Sequence, residues 1–261
     1  MTTVDFITAL FCRVDDRLQD VPKHPQAHLY PSEVVTLALL FALKGVGDRA
    51  FYRWLVRAYR PLFPRVPERT RLFRLFATHQ DWTAYFLAKP TVLGVADTYG
   101  VELLHPWREG RTPQQMGRKG LSNHRWIIGG KLGVVLNKWG LVCAWDADTA
   151  NVHDSAFQPL VARFAEEMIV LTDHNFARKE GNPPNMKVCA RGTWNDRMVI
   201  ETLFSMLTTV CHCKKVLHRV WRYFTMRLAF TMAVFNVLVQ WDGLPLDEHG
   251  EAHLSIAQFN L

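Results

Sequence analysis

Past Lys89-Pro90 the chain carries four apolar runs, Thr91 to Ala96, Trp126 to Leu136, Leu141 to Trp145 and Met168 to Thr172. Each is short and bounded by polar or turn-forming residues, which predicts strands. The middle two flank Asn137-Lys138-Trp139-Gly140, a sequence suited to a hairpin turn. Between the third run and the fourth, Ser155 to Glu167 has amphipathic helical spacing, with Asp154 or Ser155 as its cap. The order strand, strand, strand, helix, strand predicts an α/β protein whose mixed sheet is covered by helices.

The first 88 residues read differently, as an all-helical region. Ser32 follows Pro31 and precedes Glu33 and the apolar run Val34 to Leu43, so it is the expected N-cap of a buried helix. Lys44 to Asp48 interrupts the periodicity, and Ala50 to Tyr59 resumes it before Pro61, Pro64 and Pro67. A short helix fits Arg69 to Leu75. Beyond the strands, Arg178 to Thr193 holds Gly181, Pro183, Pro184 and Gly192 and reads as an irregular linker. Asn195 to Val210 and Leu217 to Trp241 then read as helices, and residues 242–261 as an acidic tail. The expected organisation is a helical region over 1–88, a core over 89–241 and that tail.

With 49% hydrophobic and 21% charged residues, the chain has material for a core and too little charge density for disorder. No apolar run approaches the roughly 18 to 20 residues that span a bilayer, and the N-terminus carries Asp5, Arg13, Asp15 and Asp16 rather than a secretory pattern. A cytoplasmic protein without membrane association is expected. Five cysteines, an odd and sparse set, predict reduced thiols. Cys211-His212-Cys213 lacks the second ligand pair of a structural zinc site, so these cysteines read as small core side chains.

The net charge of +7 is unevenly spread. Between Arg49 and Arg74 there are eight arginines and one acid, Glu68. Arg49, Arg53 and Arg57 recur every four residues, which stacks them on one face of a helix within reach of a polyanion's phosphates. An ordinary solvated face mixes signs, and this one does not.

Three acids are distinguished by position. Asp97 ends the first strand, Asp173 ends the fourth, and Glu201 lies one and a half turns into the helix after the linker. Carboxylates gathered at one edge of an α/β sheet repel one another and are tolerable chiefly around a cation. Hard oxygen ligands suit Mg²⁺ or Mn²⁺, and two such ions can activate an attacking oxygen and stabilise a leaving one at a phosphodiester.

The flanking residues sharpen this. Val95-Ala96-Asp97-Thr98, Leu171-Thr172-Asp173-His174-Asn175-Phe176 and Arg197 to Leu207 occur in that order. Over about residues 91 to 241 the series resembles the catalytic segments of bacterial insertion-sequence transposases of the DDE type, which have an RNase-H-like core. Asn151-Val152-His153-Asp154 falls where such proteins often carry a His-Asp or Asn-Asp pair before a helix. Arg197 and Glu201 match the family's helical signature in spacing, while Trp194 replaces its Tyr and Thr208 its Lys. Lys214 or Lys215 then supplies the missing phosphate contact, or the chain belongs to a branch that grips DNA differently. The intervals of 76 residues from Asp97 to Asp173 and 28 from Asp173 to Glu201 leave no room for a large insertion.

The resemblance implies a fold and an activity: an RNase-H-like mixed sheet in which Asp97, Asp173 and Glu201 hold two Mg²⁺ or Mn²⁺ ions. It implies cleavage at the ends of an insertion sequence and joining of the 3′ ends to target DNA by a nucleoid-associated homodimer. The residues expected to hold double-stranded DNA, terminal repeat and target alike, are Arg197, Arg191, Lys131, Arg118, Lys119, Lys214 and Lys215, with Arg49, Arg53 and Arg57 in the helical region. Arg125, Lys187, Arg219, Arg222 and Arg227 extend the basic surroundings, and Trp194 is the tryptophan expected to stack on a base. Two alternatives remain open: a related nuclease without strand transfer, and a DNA-binding relative without catalysis.

Overall fold

The computed structural model describes the chain apart from residues 112–114, 123–124, 190–197, 215, 217, 245, 247–251, 253 and 260–261. The helical region comprises α1 (Thr3–Arg17), α2 (Pro31–Lys44), α3 (Asp48–Ala58) and α4 (Arg69–Thr78), succeeded by a 3₁₀ segment, Gln80–Phe86. α2 is apolar nearly all round and correspondingly buried. Its N-cap is Tyr30 rather than Ser32, because Pro31 takes the first helical position, where its missing N–H is no loss. Glu33 closes the end by accepting the Tyr30 backbone N–H at 2.7 Å.

Beyond the helical region the α/β expectation holds: the chain forms a curled, mixed sheet of six strands flanked by helices. The strands are β1 (Leu93–Leu104), β2 (Arg118–Ser122), β3 (Arg125–Asn137), β4 (Val142–Thr149), β5 (Ile169–Thr172) and β6 (Met186–Val188). β3 lies antiparallel to β1 on one side and to β4 and β2 on the other. β5 runs parallel between β1 and β6. The hairpin forms where expected, with Gly140 at φ 74° and the Asn137 side-chain oxygen accepting the backbone N–H groups of Trp139 and Leu141.

Three expectations for the sheet region need correction. β1 does not end at Asp97 but passes through it to Leu104, because the ladder with β3 continues from Gly94–Asn137 to Leu104–Ile128. The helix expected over Ser155 to Glu167 is a 3₁₀ turn, Asp154–Phe157, and a short α5 (Gln158–Ala162), with His153 in the capping position. The linker contributes a strand, β6, beside β5.

Two helices complete the chain, α6 (Met198–Thr209) and α7 (Trp221–Val239). α7 is the hub. Asn236, fully buried, donates to the Phe86 and Val142 carbonyls and accepts the Val142 N–H, fixing α7 to both the helical region and β4. Arg227 is 3% exposed, donates to the Val46 carbonyl at 3.1 Å and lies 4.7 Å from the Phe41 ring centroid. It belongs to the core, not to the basic flank its sequence position suggests. One hydrophobic cluster joins α1 to α4, α6 and α7 to Val95, Val101, Leu132 and Leu136 of the sheet.

In the described part of the tail, Ile256 and Phe259 are buried, and Phe259 packs against Phe6 and Trp241. Cys143, Cys211 and Cys213 are buried and unbridged, as expected of core thiols, while Cys12 is exposed. Burial pushes the Cys143 thiol up to about 12. Among the described residues no helix is long and apolar enough to cross a membrane.

Candidate functional site

Asp97 and Asp173 are related by the register of β1 and β5. The parallel pairs run Leu93–Ile169, Gly94–Val170 and Val95–Leu171. The constant offset in these pairs, 76 residues, also separates Asp97 from Asp173. β5 ends at Thr172 while β1 continues, so the two aspartates stand just past the last parallel pair, where the sheet opens between neighbouring strands. Two residues beyond a paired position return to the same face of a strand.

Each carboxylate has local partners. Asp173 caps the 3₁₀ turn His174–Phe176, accepting the Asn175 backbone N–H at 3.0 Å and its side-chain amide at 3.1 Å. Asp97 accepts the Thr98 backbone N–H at 2.7 Å. Both acids are half-buried.

Glu201 reaches this side of the sheet through α6. Tyr99 shares its strand face with Asp97, and its ring stacks on Phe204 at 5.0 Å. Glu201 lies three residues before Phe204, on the turn that precedes it, and is exposed. Burial beneath α6 raises the Tyr99 hydroxyl above its ordinary pKa. Among the described residues, however, no three His, Cys, Asp or Glu side chains are grouped as a metal ion would require. The fold brings the aspartates into register and puts the glutamate over the same face without closing a three-ligand cluster.

Lys131 stands apart from the other basic residues. It is 9% exposed, and its ammonium donates to Asp154 Oδ1 and to the Val152 carbonyl, both at 2.7 Å. The same Asp154 oxygen accepts the Thr98 hydroxyl at 2.8 Å. Lys131 therefore fastens the segment before α5 to the residue after Asp97 and is not presented for a phosphate. Asp154 occurs in the Asn151 to Asp154 motif, but nothing local identifies Lys131 as its partner.

The surface cations are placed otherwise. Arg49, Arg53 and Arg57 are all exposed on α3, and none takes part in the three ion pairs found among the described residues. Arg118 and Lys119 lie exposed on β2, where Lys119 stands 3.8 Å from Glu109, and Lys214 is exposed beyond α6. Arg191, Trp194, Arg197 and Lys215 lie outside the described residues. No protein-family model and no curated protein matches the chain.

Proposed function

We propose that the protein is a DNA transposase of the DDE type, with an RNase-H-like core that cleaves the ends of its insertion sequence and joins the 3′ ends to target DNA. The observation that carries the reading is the shared offset of 76 residues: it relates Asp97 to Asp173 as it relates the β1–β5 pairs, just past the point where that ladder stops. The exposed arginine face of α3 supports a polyanionic partner, double-stranded terminal repeats and target DNA, handled by a homodimer at the nucleoid.

The aspartates fit a divalent cation by chemistry: hard oxygen donors, one on β1 and one just past the end of the neighbouring β5, both only partly buried. Asp97, Asp173 and Glu201 would hold two Mg²⁺ or Mn²⁺ ions. When bound, such ions supply an activated attacking oxygen and stabilisation of the leaving oxygen at a phosphodiester. The chain's own residues do the positioning. Asn175 fixes the Asp173 carboxylate from two donors, and the Tyr99–Phe204 stack sets the height of α6 over β1. The exposed arginines hold phosphates without reading sequence.

The deciding experiment follows strand cleavage and joining on duplex DNA that carries the sequences flanking the gene, with and without Mg²⁺. Wild type cleaves and joins only with the metal, and Asp97→Asn, Asp173→Asn and Glu201→Gln bind DNA but do not cleave. Cleavage by Glu201→Gln at the wild-type rate removes Glu201 from the site. Cleavage without joining selects a nuclease of the same fold. The second reading, a DNA-binding relative without catalysis, is favoured by the lack of a three-ligand cluster among the described residues, and binding without metal-dependent cleavage selects it.

A further inference from the structure

A second surface lies at the edge of the sheet formed by β2. From His105 to Trp126 the chain carries five basic residues, Arg108, Arg111, Arg118, Lys119 and Arg125, and one acid, Glu109. All five are exposed. The apolar side chains among them are exposed too: Trp107 by 84%, Trp126 by 57% and Leu121 by 53%.

Pairing brings Lys119, Leu121 and Trp126 to one face of β2 and β3, whereas Arg118 and Arg125, at positions paired with Gly129 and Ser122, belong to the other face, where Arg125 stands 3.9 Å from Glu102. Leu121 on β2 is the cross-strand partner of Trp126 on β3. The Lys119 ammonium lies 5.5 Å from the Trp126 ring centroid. Lys119 also stands 3.8 Å from Glu109, which draws the turn holding Trp107 toward β2, and that turn (Pro106–Arg108) lies against β3. Trp107 is held by His105, whose Nδ1 accepts the Trp107 backbone N–H at 3.3 Å and whose ring meets the indole edge-on.

Large aromatic rings left in water represent burial not yet realised, and a rim of one charge sign selects the partner that realises it. Here cations outnumber acids around the two exposed indoles, even with Glu109 beside Lys119. Flat faces beside cations match nucleic acid with unpaired bases, which stack on the rings while Arg and Lys take the backbone. In a paired duplex the base faces are already covered, so duplex alone would leave both indoles unused.

We infer that Trp107 and Trp126 form a stacking platform for unpaired bases of DNA, with Lys119 beside the Trp126 ring on its phosphates. The inference rests on the reading of the chain as a DNA-processing protein and adds the state of the DNA: strand ends that are separated or frayed.

The test measures binding of the full chain to a duplex bearing an unpaired tail with 2-aminopurine in the tail, against the same duplex fully paired. Wild type binds the tailed duplex more tightly, and the 2-aminopurine emission falls as it stacks. Trp107→Ala and Trp126→Ala each lower the preference for the tail by roughly 5-fold or more. Trp126→Phe keeps most of it, and affinity for the paired duplex is unchanged throughout. Because both indoles are exposed, thermal melts of the variants coincide with wild type, which separates lost stacking from lost folding. Equal wild-type affinity for the two DNAs, or a preference that survives the double Ala variant, overturns the platform and leaves the DNA reading standing. Failure to bind either DNA overturns both. Binding to phosphatidylserine vesicles but to neither DNA assigns the surface to a membrane and overturns the inference.

Discussion

Lys131 Nζ stands 2.7 Å from Asp154 Oδ1, with the two side chains only 11% and 16% exposed. Removing one member of such a pair leaves a charge in a poorly solvated position. Lys131→Met is expected to destabilise the fold by about 3 kcal/mol in urea unfolding. Adding Asp154→Leu recovers part of the loss, because no unpaired charge then remains. A Lys131→Met protein with wild-type stability and weakened DNA binding would return this lysine to the DNA-contacting set.

The range of each interaction decides whether the sequence discloses it. The β3–β4 hairpin is legible because its determinants are local: Asn137 satisfies two N–H groups within four residues, and Gly140 takes the positive φ. The passage of β1 through Asp97-Thr98-Tyr99-Gly100 is not, since these residues lack strand-like alternation and are held by a ladder to β3. β2 is too polar, and β6 too short and too close to Pro183 and Pro184, to be read as strands. The register of Asp97 and Asp173 is latent in their 76-residue interval, but only the observed pairs give the interval meaning. Lys131 resembles any other surface cation in the sequence because its partner lies 23 residues away.

The arginine face of α3 yields a salt-dependence prediction. If Arg49, Arg53 and Arg57 each neutralise one phosphate, replacing all three by Ala lowers the slope of log affinity against log salt by about 3. The side chains are exposed and outside the ion pairs of the described residues, so thermal stability should be little changed. Titrations of duplex DNA across a series of KCl concentrations check this. An unaltered slope would assign the stripe to another partner.

Gly129 gives a packing prediction. It sits in β3 opposite Arg118 and Glu102, where a Cβ would run into the backbone carbonyl of Val101. Backbone within a ladder cannot rotate away as a side-chain tip can, so Gly129→Ala should cost about 1–3 kcal/mol or more. Gly110→Ala meets nothing within 4 Å but imposes a Cβ at φ 71°, so a loss of about 1 kcal/mol is expected there. Comparing the two melting curves distinguishes collision from strain.

His218 sets a pH window for stability. Its Nε2 is buried without a hydrogen-bond partner among the described residues, and burial, aided by the nearby Arg227 guanidinium, lowers its pKa from 6.5 to about 4. Below pH 6.5 the unfolded chain gains a proton that the native protein refuses until about pH 4. Stability from this group is therefore fully present above the unfolded value and falls as pH drops from about 6.5 to 4. The shift corresponds to a loss of roughly 3 kcal/mol across the window. His218→Leu removes that proton uptake, so urea unfolding of the variant should weaken less between pH 7.5 and pH 4.5 than that of wild type. If the two proteins lose stability in parallel, the acid sensitivity arises elsewhere and His218 is protonated without cost.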